Sequence, residues 1–268
     1  MATVGCMDLQ LTGKRAIVLG GTKGIGRAVA VALVREGAVV TLAARHDVEA
    51  IAAGLAAETG GTVHGVAVDS RDDASVQAGV AAAVDAMGGV DILVNTAAAP
   101  WNAAKNTVAS QTSDDAMREE FEEKVLGYLR AARAVAPHLV ANGWGRIINI
   151  SGLGARKAGS VAQAVRNISV SAITKNLADE LGPQGVNVTV VHPGTTRTEA
   201  VAALVEKRVA EGESRGDAER AMAGNIIGRI VTPGELANVI VFLASPLSVA
   251  ITGGAVDAGG GTPGVVTY

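Results

Sequence analysis

From Arg15 onward the chain alternates short apolar runs with longer stretches whose apolar positions recur at helical spacing. The first run, Ala16-Ile17-Val18-Leu19, is short and unbroken, as in a strand buried on both faces. Behind it, Ala28, Val29, Val31, Ala32 and Val34 mark one face of a helix. The same alternation predicts further strands at 39–43, 62–68, 92–95, 146–150 and 186–191, and helices at 48–59, 75–87, 113–140 and 162–181. Gly60-Gly61, Gly88-Gly89 and Asn142-Gly143 supply helix stops. This order predicts an α/β fold, with one doubly wound parallel sheet covered by helices on both faces. It reads as a single domain over 1–268, with 1–10 as a loose tail. Residues 196–224 are charged and helical, with Glu206, Lys207, Arg208, Glu211, Glu213 and Arg215. They read as a mobile lid over the site, or as a solvated surface helix. Residues 236–256 carry no charge and reach bilayer length, but Ser245-Pro246 and Gly253-Gly254 divide them into helix, turn and strand.

Composition narrows the function classes. With 268 residues and 49% apolar positions, the chain can build a large two-sided core. A net charge of −3 argues against a nucleic-acid partner. The single cysteine, Cys6, forms no internal disulfide, so a reducing, cytoplasmic setting is expected. The four histidines are scattered and predict no metal site. Asp8 and Gln10 interrupt the N-terminus, so neither a signal peptide nor membrane attachment is expected.

The chemistry centres on Gly20-Gly21-Thr22-Lys23-Gly24-Ile25-Gly26, between the first strand and the first helix. Glycines there permit a sharp turn and close approach, and the helix start offers free N–H groups to a dinucleotide pyrophosphate. That is a Rossmann-type arrangement. The spacing of Gly20, Gly24 and Gly26, with Ile25 between the last two, resembles the short-chain dehydrogenase/reductase family. Later motifs extend the resemblance from about residue 11 to residue 260. The resemblance implies NADP (NADPH) as cofactor, held by Gly20, Thr22, Lys23, Gly24, Ile25 and Gly26. Lys23 and Arg45 would favour the 2′-phosphate, since Ala44 stands where an NAD-selecting carboxylate is usual. Both cations also read as ordinary surface charges. Asp69 and Ser70 would meet the adenine, or cap the helix that follows. Asn95 and Ala97 stand in the family's Asn-Asn-Ala-Gly segment, from which Thr96-Ala97-Ala98 departs. Pro193, Gly194, Thr195 and Thr198 would hold the nicotinamide, and Asp257-Ala258-Gly259-Gly260 resembles the C-terminal strand.

The resemblance breaks at the catalytic positions. The family's serine, tyrosine and lysine correspond to Gly152 (with Ser151 beside it), Gln163 and Asn167. Its active-site asparagine corresponds to Lys124. Glutamine cannot serve as a general acid near neutral pH, and asparagine carries no charge to lower a neighbour's pKa. Arg156, Lys157 and Arg166 are candidate anion holders or surface charges, and His192 a titrating or structural strand-end residue. Trp101 is a candidate wall of a substrate pocket, Tyr128 reads as a packing residue, and Tyr268 as a tail residue that could reach a neighbouring subunit. Three readings stay open: an NADP-dependent oxidoreductase acting on a small carbonyl, imine or enone; a non-redox lyase, isomerase or cyclase; and a catalytically silent nucleotide-binding subunit. The resemblance also implies a homodimer or homotetramer, formed through the helices at 113–140 and 162–181.

Overall fold

Strand β1 (Arg15–Leu19) lies in the interior of a seven-stranded sheet, and Ala16 to Leu19 are buried. The computed structural model describes residues 7–98 and 108–266. The other strands are β2 (Val39–Ala44), β3 (Val63–Ala67), β4 (Ile92–Asn95), β5 (Gly145–Ile150), β6 (Val186–Pro193) and β7 (Ala255–Ala258). All pairings are parallel, in the order β3-β2-β1-β4-β5-β6-β7. Leu19 pairs with Ala43 on one side and Asn95 on the other. The strand order therefore reverses beside β1, where a doubly wound sheet opens a crevice.

The unbroken apolar runs follow from this burial. Ala16 and Val18 point into one core with helices α1 (Gly24–Arg35) and α2 (Val48–Thr59). Ile17 and Leu19 point into the other, with α3 (Asp73–Met87). Successive strand residues alternate faces, so a sheet covered on both sides needs apolar side chains at every position.

The expected helix at 113–140 is one continuous run of three parts: α4 (Asp114–Glu120), a π-helical segment (Phe121–Leu126) and α5 (Gly127–Ala141). The Ser113 hydroxyl caps it by accepting from Ala116 N at 3.2 Å. Helix α6 (Val161–Leu181) begins at a similar cap, Ser160. Helix α3 starts two residues earlier than its pattern suggests because the Asp72 carboxylate accepts from Ala74 N at 3.0 Å. The cap is therefore Asp72, which corrects the alternative that gave Asp69 this role. Strand β6 runs on to Pro193, beyond the expected end at 191.

Residues 196–224 form two helices, α7 (Glu199–Ala210) and α8 (Arg215–Ala223). They share a small apolar cluster of Val205, Ala223 and Ile230, and Arg215 pairs with Glu206 at 2.7 Å. The uncharged stretch resolves into α9 (Pro233–Ala244), a turn and β7. Helix α9 starts at a capping box of Thr232 and Glu235 with Pro233 at its first position. Among the described residues, no helix is long and apolar enough to cross a membrane. In the described part of the expected tail, Leu9 packs against the core that Leu11 enters.

Candidate active site

The turn after β1 is held by backbone contacts that leave no room for side chains. Gly20 has φ +83°, and a Cβ on it would stand 2.6 Å from Ala97 N. A Cβ on Gly26 would stand 2.2 Å from the Gly20 carbonyl oxygen. Gly20 N donates to Ala43 O, and both Thr96 N and Thr96 Oγ1 donate to Leu19 O. The turn is thereby fastened to β2 and to the end of β4. Thr22 and Ile25 are half-buried, and Ile25 packs on the core below. Lys23 precedes α1 without a side-chain cap bond. The first amide of the helix, Gly24 N, instead donates to Glu199 Oε1 at 3.3 Å. A carboxylate from α7 thus sits at the positive end of α1. Sequence reasoning missed Glu199; its position directly after Thr198 was the available signal.

On the β2–β3 side, Lys23 and Arg45 are exposed, and the Arg45 guanidinium lies 3.8 Å from Glu123. Asp69 accepts from Arg71 N at 3.0 Å and from its guanidinium at 2.8 Å. Those hydrogen bonds from Arg71 bring the Asp69 pKa down to about 2. The Ser70 hydroxyl donates to Glu123 O, and Gly127 packs tightly against Ser70, so this residue seats the long helix.

On the β4–β6 side, Asn95 is buried and its Nδ2 donates to Asn149 Oδ1 at 2.8 Å. Asn95 Oδ1 is buried with no partner among the described residues. Ala97 is half-buried above Gly20. Pro193 ends β6, and Gly194 lies against the Gly259 backbone. Thr195 donates to Met222 O at 2.8 Å, fastening this turn to α8. Thr198 precedes α7, and its methyl group would lie 3.1 Å from a Cβ on Gly24. His192 is buried, with Nδ1 unpartnered among the described residues, and burial lowers its pKa.

Ser151, Asn167 and Lys124 form a hydrogen-bonded cluster at the end of β5. Ser151 is buried, and its hydroxyl donates to the Asn167 backbone carbonyl at 3.0 Å. Gln163 lies in the first turn of α6, where its N–H donates to the Ser160 cap. Asn167, one turn on, is buried at 4% exposure. Lys124 reaches across from the π segment, with Nζ donating to Asn167 Oδ1 at 3.1 Å and to Ser151 O at 2.8 Å. Burial holds the Lys124 ammonium well below the usual lysine range; nearby Arg166 acts in the same direction and Glu120 opposes it. Arg166, one of the candidate anion holders, is instead paired with buried Glu120. Arg156 pairs with Asp257 at 3.1 Å, while Lys157 is exposed. Tyr128 is buried with its hydroxyl donating to Ile150 O at 3.1 Å, and burial raises its pKa. It is a packing residue that locks the end of β5. Cys6, Trp101 and Tyr268 lie outside the described residues. No group of three or more His, Cys, Asp or Glu side chains among the described residues forms a metal-holding cluster.

Comparison with known proteins places this arrangement. Residues 20–262 match the family described as enoyl-(acyl carrier protein) reductase. The chain is 35% identical over 250 residues to the short-chain reductase protein NovJ of Streptomyces niveus, covering 92% of this chain and 93% of that one. It is 32% identical over 256 residues to the 3-oxoacyl-[acyl-carrier-protein] reductase FabG of Vibrio harveyi, covering 94% and 98%. Among solved structures it resembles L-sorbose reductase from Gluconobacter frateurii complexed with NADPH and L-sorbose, with a TM-score of 0.89 and 28% identity over 97% of this chain and 100% of that one. A reductase match over nearly the whole chain, on a doubly wound sheet with its glycine turn at the switch point, makes this protein a member of the short-chain dehydrogenase/reductase family.

Proposed function

We propose that the chain is an NADP(H)-dependent oxidoreductase with a non-standard active site, acting on a small organic carbonyl, imine or enone. The observation that carries this reading is the close-packed glycine turn at the switch point, flanked by exposed Lys23 and Arg45. A crevice with that turn suits a dinucleotide pyrophosphate, and the two cations suit a 2′-phosphate. The presence of NADPH in the L-sorbose reductase structure supports the same cofactor. When bound, the nicotinamide supplies or accepts hydride, and the protein supplies position and proton management.

The residues present limit how the proton is handled. Gln163 can orient a carbonyl or imine by hydrogen bonding but has no proton to give near neutrality. Ser151 is committed to the α6 backbone and Tyr128 to β5. A substrate that arrives protonated, such as an iminium, needs no acid at the tyrosine position, so an imine fits this set better than a ketone. Helices α7 and α8 act as the substrate lid. Exposed Val165 and Ile168 on α6 and Phe121 on the long helix offer apolar surface for the homodimer or homotetramer contact.

The direct test mixes purified protein and NADPH with ketones, imines and enones while nicotinamide absorbance is followed. Turnover on any class supports the reading; tight NADPH binding without turnover on all of them overturns its catalytic half. One observation favours a second reading, a silent nucleotide-binding subunit: the amide at the tyrosine position and the sequestered hydroxyls leave no ordinary proton donor among the described residues. Copurification with an active relative carrying the tyrosine and lysine would favour that reading.

Three substitutions probe the cofactor end. Lys23→Ala and Arg45→Ala should each weaken NADPH about tenfold and leave NADH nearly unchanged, a difference read as Kd values by calorimetry. Glu199→Gln should tighten NADPH about two- to fivefold, because an anion at a helix N-terminus gains roughly 0.3–1 kcal/mol and here competes for the pyrophosphate seat.

A further inference from the structure

Lys124 is only 4% exposed, yet the buried carboxylate whose charge it feels, Glu120, is taken by Arg166. Among the described residues its nitrogen is held by two acceptors, Ser151 O at 2.8 Å and Asn167 Oδ1 at 3.1 Å. A lysine ammonium carries three N–H donors, so one is left without a described acceptor. A neutral amine carries two N–H groups and one lone pair. The site therefore suits the neutral amine, with both N–H groups paired and the lone pair turned to the third, open direction. The charges nearby agree with the hydrogen bonds. Burial and Arg166 drive the proton off, and Glu120 opposes them. The other titratable groups facing Lys124 are His192 on β6 and Tyr128 on α5, whose ring centre lies 6.0 Å from Nζ.

The loop beside this amine leaves space. A Cβ on Gly152 would stand 3.7 Å from Asn167 Oδ1, the atom that Lys124 touches. A Cβ on Gly154 would meet Asn167 Nδ2 at 3.1 Å and, apart from its chain neighbours, no other described atom within 4 Å. Room for a small molecule thus begins next to the amide that holds Lys124. The place is the carboxyl end of β5, where open α/β sheets take their ligands. A lysine in dry surroundings beside a second cation is also the arrangement that makes an amine nucleophilic near neutral pH.

We propose that Lys124 is a nucleophile toward a small enolisable aldehyde or ketone: Nζ forms a protonated imine at the end of β5 and loosens the adjacent C–H bond. This goes beyond the NADP(H) reading and needs no nucleotide. The amine lends its electron pair to the carbonyl carbon, and the carbonyl oxygen leaves as water. Overall, the ammonium and the carbonyl give one protonated imine and one water, so protons and charge balance. The N–H that remains donates to Asn167 Oδ1 or Ser151 O. A proton on the adjacent carbon then passes to water. Its C–H pair becomes a C=C bond, and the C=N pair returns to nitrogen as an enamine. Reprotonation and hydrolysis restore both the lysine and the carbonyl compound.

The test uses the full chain with acetone and no nucleotide. Sodium cyanoborohydride at pH 7 reduces any imine to an isopropyl group, and peptide mass spectrometry locates it. Lysine in water is less than about 0.1% neutral at that pH, so Lys124 should be labelled about tenfold or more faster than exposed Lys157 and Lys207. In D2O without reductant, the protein should exchange the acetone hydrogens for deuterium, followed by NMR. Lys124→Arg keeps a buried cationic donor but forms no imine, so it should abolish the exchange with the melting temperature nearly unchanged. Gly154→Val, which fills the space beside Asn167, should slow labelling of Lys124 about tenfold and leave Lys157 and Lys207 unchanged. Label on the exposed lysines with Lys124 spared would overturn the proposal. So would wild-type protein that exchanges no hydrogen, or exchange that survives in Lys124→Arg. If Lys124→Arg fails to fold, the site of labelling and Gly154→Val still decide it.

Discussion

Gly26→Ala should weaken NADPH binding about ten- to hundredfold, the equivalent of roughly 1–3 kcal/mol of overpacking. The cause is steric and lies in the backbone. The added methyl carbon would stand 2.2 Å from the Gly20 carbonyl oxygen and 2.5 Å from Thr96 Oγ1. Neither neighbour can withdraw freely. Gly20 is fastened to β2 through Ala43 O, and Thr96 to β1 through Leu19 O. Helix α1 must then shift away from the turn, and its first amides leave the pyrophosphate seat. Calorimetry with NADPH measures the loss, with Gly54→Ala as the control. Gly54 lies in α2 with open space around it, so its replacement should leave binding intact and stabilise the fold by about 0.4–1 kcal/mol. Unchanged NADPH affinity in Gly26→Ala would show that this turn does not seat the cofactor.

Glu120→Gln carries the largest expected effect on stability, about 3–5 kcal/mol. Glu120 is buried beside two cations, paired with Arg166 and close enough to Lys124 to favour its charged form. Without the carboxylate, Arg166 and Lys124 face each other in a poorly solvated space, and Arg166 already has its Nε buried without a partner among the described residues. The arginine cannot release its proton, so the lysine must, and its pKa falls further. The sign of the pH dependence follows. A lysine whose folded pKa lies below its unfolded value binds more protons when unfolded, so stability rises with pH up to about 10.4. The deficit of Glu120→Gln should therefore shrink as pH is raised toward that range. Urea unfolding at several pH values measures both effects. Arg118→Ala, which removes only exposed pairs with Asp114 and Asp115, should change stability by less than about 0.5 kcal/mol.

The sheet was legible in the sequence because its causes are local. A strand buried on both faces must be apolar at each step, so Ala16-Ile17-Val18-Leu19 and Ile92-Leu93-Val94 announce themselves. Gly20 and Gly26 were legible for a related reason: a positive φ at Gly20, and at both a backbone contact inside van der Waals distance, leave no choice of residue. That Gln163 and Asn167 stand one turn apart on one helix was likewise legible from spacing alone.

The wiring of the site was decided by the packing of distant segments. Lys124 meets Asn167 across 43 residues, Arg166 meets Glu120 across 46, and Gly24 meets Glu199 across 175. None of these pairings has a sequence period. The π segment matters most, because it alters the helical phase, and so which face Lys124 presents, where a regular helix was expected at 113–140. Helical spacing shows which residues share a face, but only the docking of the long helix against α6 determines what that face meets. The amide pair was therefore readable as chemistry from the chain, and the cation beside it became part of the site only through tertiary structure.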